Sequence, residues 1–126
     1  MEKTNFENLD IYKLSEKITD EIWEIVVAWN NLARDTIGKQ IIRSADSIGA
    51  NIAEGSGRGT PQDNGRFLRM ARGSLYETRH WLRRAHKRKL LSQENTEKLL
   101  PLINELTPKL NSYLRKVAET IRGKRN

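Results

Sequence analysis

The sequence predicts an all-α fold, a single-domain antiparallel up-down four-helix bundle. Apolar residues recur at spacings of three and four along nearly the whole chain, and no stretch alternates with period two. The interruptions to that pattern are short, which joins neighbouring helices antiparallel. The length, 126 residues with 37% hydrophobic content, suits one domain with one core. Three prolines and eight glycines leave little room for disorder. A helix of about 22 residues spans about 33 Å, so the bundle should be an elongated rod.

The first helix is expected over about 8–29, where Ile11, Leu14, Ile18, Ile22, Ile25 and Trp29 form one apolar stripe. Tyr12, Trp23, Val26 and Val27 widen it, as contact with more than one neighbour requires. Asn30-Asn31 reads as a turn. The second helix is expected over about 35–54, with Ile37, Ile41, Ala45, Ile48 and Ile52 on one face. Gly38, Ser44, Ser47, Gly49, Ala50 and Ala53 are small, which suits close approach of another helix. Gly38 and Gly49 each lower helix propensity by about 1 kcal/mol relative to Ala.

Gly55-Ser56-Gly57-Arg58-Gly59 reads as the clearest breaker. It lacks the Gly-Lys-Ser/Thr ending and the preceding strand of a nucleotide-binding loop. Thr60 as N-cap, Pro61 in the first turn and Asp63 near the positive helix end start a third helix over about 61–87. Ser92 caps a fourth over about 92–122, carrying Leu99, Ile103, Leu106, Leu110, Leu114, Val117 and Ile121. Pro101 and Pro108 fall inside it and should bend or break it. Gly123-Lys124-Arg125-Asn126 should fray.

The formal net charge is +7 and unevenly spread. Residues 1–42 hold five Lys/Arg against eight Asp/Glu; residues 43–91 hold eleven against four, and 92–126 seven against four. Between Arg66 and Lys89 lie nine Lys/Arg and one acid, Glu77. Arg69, Arg72, Tyr76, Arg79, Arg83 and Lys87 are spaced 3, 4, 3, 4 and 4, which aligns them along one helix face. Phe67, Ala71, Leu75, Thr78, Leu82 and Ala85 share roughly the opposite face. The third helix is therefore expected to bury one side and present a cationic ridge on the other. Such a ridge suits a phosphate backbone, RNA or DNA, with Tyr76 free to stack on an unpaired base. Arg84, Arg88 and Lys89 would extend it, and Lys124-Arg125 would add a mobile arm. If about five phosphates are neutralised, log affinity falls against log salt with a slope of about −3.5 for single strands and −4.5 for duplex. A solvated basic face, or one paired with Glu16, Asp20 and Glu24 of a neighbouring chain, is the competing reading.

There is no cysteine, which excludes disulfides, thiolate metal sites and cysteine nucleophiles and fits a reducing cytoplasm. No apolar run approaches the ~18 residues of a membrane span, and Met1-Glu2-Lys3-Thr4-Asn5-Phe6-Glu7 lacks the pattern of a signal peptide. His80 and His86, without an acid cluster, make a weak metal site, so no metal or cofactor is expected. Trp23, Trp29 and Trp81 read as core or subunit-contact residues rather than base platforms.

Several stretches resemble a family. Asn5-Phe6-Glu7-Asn8-Leu9 leads into the first helix. Gln40-Ile41-Ile42-Arg43 and Ser44-Ala45-Asp46 precede Ser47-Ile48-Gly49-Ala50-Asn51-Ile52-Ala53-Glu54-Gly55, and Ser56-Gly57-Arg58 follows. Arg66-Phe67-Leu68-Arg69-Met70-Ala71-Arg72-Gly73-Ser74-Leu75-Tyr76-Glu77 completes the pattern. Together these resemble the bacterial four-helix bundle proteins encoded in intervening sequences of 23S ribosomal RNA genes. The Ser47 to Gly55 stretch is the most specific part, with Gly49 where many members have proline, which should loosen that turn. The resemblance implies a four-helix bundle, commonly a homopentamer shaped as a tapered barrel. It also implies kinship of architecture with accessory proteins of diversity-generating retroelements, basic pentamers that engage a reverse transcriptase and nucleic acid. Within the matched motif, Arg43, Ser47, Ile48, Asn51, Ile52, Ala53, Glu54, Gly55 and Arg58 read as structural; Glu54 is expected to pair with Arg43 or Arg58, or to cap a neighbouring helix.

Arg79 and His86, seven apart on one face, also resemble the Arg-x6-His motif of the HEPN ribonucleases, in which a dimer pairs two motifs to cleave RNA. A polar residue usually follows that Arg; here it is His80. The preferred reading is a non-enzymatic, oligomeric nucleic-acid-binding adaptor, with a scaffold binding a protein partner as the alternative.

Overall fold

The computed structural model describes residues 5–125. Residues 1–4 and 126 lie outside it, as do the side chains of Lys124 and Arg125, so the expected absence of a leader and the basic arm fall outside the described residues. After a 3-10 turn at Asn5–Asn8, α1 spans Asp10–Val27. Asn31–Ala33, the π-helical Arg34–Gly38 and Lys39–Gly57 follow without interruption of helical backbone angles and are labelled α2. Helix α3 spans Pro61–Lys87 and α4 Gln93–Arg125. There is no strand among the described residues. The fold is an all-α four-helix bundle.

Helix α2 is longer at both ends than the sequence predicts. Asn30 is not a turn residue alone: its Oδ1 accepts from the Ala33 N–H at 3.0 Å, capping a helix that starts before Asp35. The expected breaker at Gly55–Gly59 acts at its far end: the helix runs three residues past 54, through Gly57, and the chain turns at Gly59 with φ 85°. The reason is packing: a Cβ on Gly55 would sit 2.8 Å from Phe67 Cβ, so the bare glycine lets α2 and α3 close on each other. The turn at Gly49 is not loosened. It is regular helix, and a Cβ there would stand 3.0 Å from Ser15 Oγ of α1. Small residues thus mark helix contacts.

Thr60 Oγ1 accepts from the Asp63 N–H at 3.2 Å, with Pro61 in the first turn, and starts α3. Ser92 and Asn95 cap α4 reciprocally: Ser92 Oγ accepts from the Asn95 N–H, and Asn95 Oδ1 from the Ser92 N–H. Helix α4 continues through Pro101 and Pro108 and to Arg125, so of the bend or break expected at the prolines the break does not occur, and the helix extends to Arg125 where a frayed end is expected. Both prolines are exposed, as are Glu97 and Asn104. The carbonyls that lose a donor therefore lie on the solvent side, where water replaces it.

Each helix contacts two neighbours: α2 and α4 both pack against α1 and α3, which leaves α1 and α3 diagonal to each other. Ile11, Ile18, Ile22, Ile41, Ile48, Ile52, Leu75, Leu106 and Leu110 are almost wholly buried between them. In the core, Thr78 Oγ1 lies 3.0 Å from Ser44 Oγ and donates to Ser74 O or to that hydroxyl. Val26 is buried as expected, but Trp23 and Val27 are exposed and face away from the bundle. Leu114, Val117 and Ile121 are only partly buried. Helix α1, at 18 residues, is too short to cover an α4 of 33.

Candidate nucleic-acid interface

The basic row is a continuous feature of α3. Arg69, Tyr76, Arg79, Arg83 and Lys87 are exposed, and Arg72 is partly buried. Its direction differs from the sequence expectation. At about 100° per residue, the row is centred about 130° from the apolar stripe, not opposite it. It therefore lies along the seam with α4. Arg72 Nη1 donates to Asn111 Oδ1 at 3.2 Å, and Arg79 Nη1 reaches Thr107 Oγ1 at 3.5 Å. The residues pointing most nearly straight out are His80 and the row's own Arg69 and Lys87, all exposed, whereas Arg72, Arg79 and Arg83 turn toward α4.

Charge pairing distinguishes the row from part of the basic surface, although cations such as Lys13, Lys39, Arg84 and Arg115 share its lack of a carboxylate partner. Arg43 pairs with Glu77, Arg58 with Glu54 at 2.7 Å, and Arg66 with Asp63 at 3.3 Å. Lys98 and Lys109 have Glu94 and Glu105. Among the described residues, no carboxylate pairs with Arg69, Arg72, Arg79, Arg83 or Lys87. Glu77, the one acid in this stretch, is held on the other flank by Arg43 and accepts from Trp81 Nε1 at 3.0 Å.

Arg84 continues the patch beside the row's C-terminal end, whereas Lys89 does not. Lys89 adopts a left-handed backbone (φ 62°), and Leu90 N–H closes onto Ala85 O at 2.9 Å. That turn carries Lys89 to the hollow formed with Glu21, Glu24 and Trp29. Arg88, at the C-cap, is exposed. Trp29 anchors this end of the bundle, its Nε1 donating to Leu90 O at 3.0 Å.

The matched-motif residues make local contacts. Ser47 Oγ donates to Arg43 O, and Asn51 Nδ2 to Ser47 O, each at 2.8 Å. Ile48 and Ile52 are core, Ala53 is partly buried, and Arg58 stacks over the Phe67 ring at 5.1 Å. Glu54 takes Arg58, one turn on, rather than Arg43, which lies eleven residues and about 16 Å back along the same helix and pairs with Glu77 of α3.

The C-terminal end of the row borders a cleft of about 540 Å³ between α3 and α4. Leu82, Leu99, Leu100 and Ile103 give it an apolar floor, and Arg79, Arg83 and Lys87 a cationic rim. His86 also lines it, so Arg79 and His86 share one cavity. No carboxylate lines it. The cleft and the tether residues Thr107 and Asn111 escape sequence reading. Their one signal is that they follow the core positions Leu106 and Leu110 and so flank the α4 stripe.

The opposite diagonal is acidic. Glu16, Asp20 and Glu24 are exposed on the outer face of α1 beside Trp23 and Val27. Their field is felt nearby: burial and then Asp20 push the Asp46 carboxyl above its usual value. Burial, Glu16 and Glu7 do the same for the Tyr12 phenol. These acids cannot reach the row of their own chain.

The family model described as 23S rRNA-intervening sequence protein matches residues 7–112. The chain belongs to that family. The span shared with the 23S rRNA-intervening sequence proteins holds the entire row, the cleft and Asn111, and stops before Leu114. A crystal structure from Bacteroides thetaiotaomicron VPI-5482, described as a protein of unknown function from the S23 ribosomal protein family, superposes with a TM-score of 0.72 at 24% identity. The match covers 82% of this chain and 97% of that one, and it supports the fold. No curated protein matches the chain. Among the described residues, no helix is long and apolar enough to cross a membrane, and no group of three metal-ligating side chains occurs.

Proposed function

We propose that the protein is a non-enzymatic, oligomeric nucleic-acid-binding adaptor that grips the phosphate backbone of RNA or DNA through the α3 row. The observation that carries this reading is the alignment on one helix of five cations that no described carboxylate neutralises. Arg43, Arg58 and Arg66 have carboxylate partners, whereas the five row cations have none among the described residues. Aligned, unneutralised cations are what a polyanion requires. Backbone contacts of this kind give affinity without base identity.

Self-association belongs to the proposal. Trp23 and Val27 are 54% and 44% exposed on α1, diagonal to the row, and the far end of α4 leaves Leu114, Val117 and Ile121 incompletely covered. Neighbouring copies meeting there leave the row free and repeat it around a ring, so that weak contacts add through avidity. The pentamer implied by the family resemblance is the assembly we favour. The acidic, apolar stripe on α1 also supports a second reading, a scaffold docking a protein partner such as a reverse transcriptase.

A mobility shift at two salt concentrations tests the main reading. Micromolar or tighter binding at low salt is expected, lost when Arg72, Arg79 and Arg83 are changed to Glu while the oligomer stays intact. Undiminished binding by that variant removes the assignment.

A further inference from the structure

We infer that the cleft between α3 and α4 accepts an unpaired nucleobase, so that the protein selects single-stranded over duplex nucleic acid. This rests on the backbone-binding reading above and adds what that reading leaves open. Backbone contacts alone do not distinguish a strand with accessible bases from one without.

The geometry couples the two features. Arg79, Arg83 and Lys87 are at once the last three members of the row and the rim of the cleft. A strand whose phosphates follow the row must pass along the mouth of an apolar cavity. Leu99 and Ile103 form its buried floor, each 2% exposed, and Leu100 stands at its edge, 48% exposed. At about 540 Å³ the cavity falls within the size range of small-molecule sites, about 300–1,000 Å³, and a base is smaller still. A base inserted there lies between aliphatic side chains and the Arg79 and Arg83 guanidinium planes, on which bases stack readily. Thr96 and His86 in the wall offer hydrogen-bonding groups to base edges. Tyr76, 49% exposed, is seven residues before Arg83, about 10 Å back along the helix. It supplies a second stacking surface on the same track.

The ligand chemistry follows from this pairing. A polyanion carrying a flat, largely apolar group at each charge fits both the rim and the floor. In a duplex the bases are stacked and paired, and the cleft gains nothing from them. The cleft also has the charge to seat an acidic apolar helix such as α1 of a second copy, and the experiment separates that case.

Fluorescence anisotropy with wild-type protein would compare three labelled DNA probes of about 12 nucleotides, within the range of single-strand site sizes. They are a thymidine strand, an abasic strand with the same phosphates, and a blunt duplex. The thymidine strand is expected to bind about tenfold or more tighter than the abasic strand, the effect of one base contact. It should also bind tighter than the duplex. Leu100→Ser, at an exposed position, should bring thymidine binding down to the abasic level and leave abasic binding unchanged. Equal affinity for all three probes overturns the cleft assignment and leaves backbone binding standing. Binding to none of them removes both readings. If Leu100→Ser instead dissociates the oligomer without altering probe affinity, the cleft holds a second copy and the base assignment is wrong.

Discussion

Arg72 of α3 donates to Asn111 Oδ1 of α4 across 3.2 Å, which, with the longer Arg79–Thr107 contact at 3.5 Å, holds part of the row against the bundle. The row is therefore partly preorganised. Arg72 lies at the seam, and its guanidinium has a defined position before any ligand arrives. An immobilised side chain has less rotamer freedom to lose on binding, worth about 0.5–1.5 kcal/mol.

Asn111→Ala should weaken nucleic-acid binding about threefold by releasing that guanidinium. The number of cations is unchanged, so the salt slope should be as well. The net loss in stability is expected to be about 1 kcal/mol, that of one hydrogen bond. Titrations at several salt concentrations and urea unfolding check both parts. A change in slope would mean that Asn111 does more than position Arg72.

Arg83→Gln removes one charge from the middle of the cleft rim. The slope of log affinity against log salt should become shallower by about 0.7 on single strands and 0.9 on duplex, the contribution of one phosphate contact. Arg66→Gln is the control. Arg66 is paired with Asp63 and lies off the row, so its slope should match wild type.

The parts of the bundle legible in sequence are those that repeat with the helical period. The stripe from Ile11 to Ile25 and that from Ile37 to Ile52 both bury as the spacing predicts. What periodicity omits is the neighbour. It groups Arg69 to Lys87 on one face, but the turn of that face toward Asn111 depends on a residue 39 positions beyond Arg72. The cleft is hidden for the same reason, its floor joining Leu82 to Leu99 and Ile103 of another helix. The helix residues beyond Gly55 and the unbroken helix at Pro101 and Pro108 have a different origin. Local propensity disfavours helix at each, and tertiary packing or solvent access offsets it.

Gly55 and Gly73 should respond oppositely to alanine. A Cβ at Gly55 would stand 2.8 Å from Phe67 Cβ and 2.9 Å from Asn64 Oδ1, so Gly55→Ala must push α2 and α3 apart. A loss of about 1–3 kcal/mol is expected, as for other overpacked sites. Gly73 has nothing within 4 Å of the added atom, and it is exposed in the middle of α3. Gly73→Ala should add about 0.5–1 kcal/mol through helix propensity and a less flexible unfolded chain. Thermal and urea unfolding of both variants distinguish the cases, and equal effects would contradict the helix spacing described above.

Asp46 makes stability pH-dependent in a defined direction. Asp46 is exposed, and partial desolvation, reinforced by Asp20, raises its folded-state value above the ordinary 3.8. The fold therefore favours the protonated carboxyl. The stabilisation from protonation is fully present below the unfolded-state value and is lost as pH rises through the folded-state one. At neutral pH the ionised group is a burden that Asp46→Asn removes. The variant should be more stable than wild type at pH 7, and its advantage should vanish well below the ordinary 3.8. Urea midpoints at the two pH values measure this, and an advantage of equal size at both would assign the effect to something other than ionisation.

Arg79 and His86 share the cleft, which makes an RNA-cleavage test meaningful. General acid–base catalysis by His86 would need a second group to take or give the other proton. Among the described residues lining the cavity there is no carboxylate, and no other histidine. On the adaptor reading a bound strand should remain intact, whereas on the ribonuclease reading a second copy supplies the other group. Labelled RNA incubated with wild type and with His86→Ala is expected to run unchanged from both, while the mobility shift of wild type persists. Cleavage by wild type that disappears in His86→Ala would replace the adaptor with a nuclease, with the same row then serving to hold substrate.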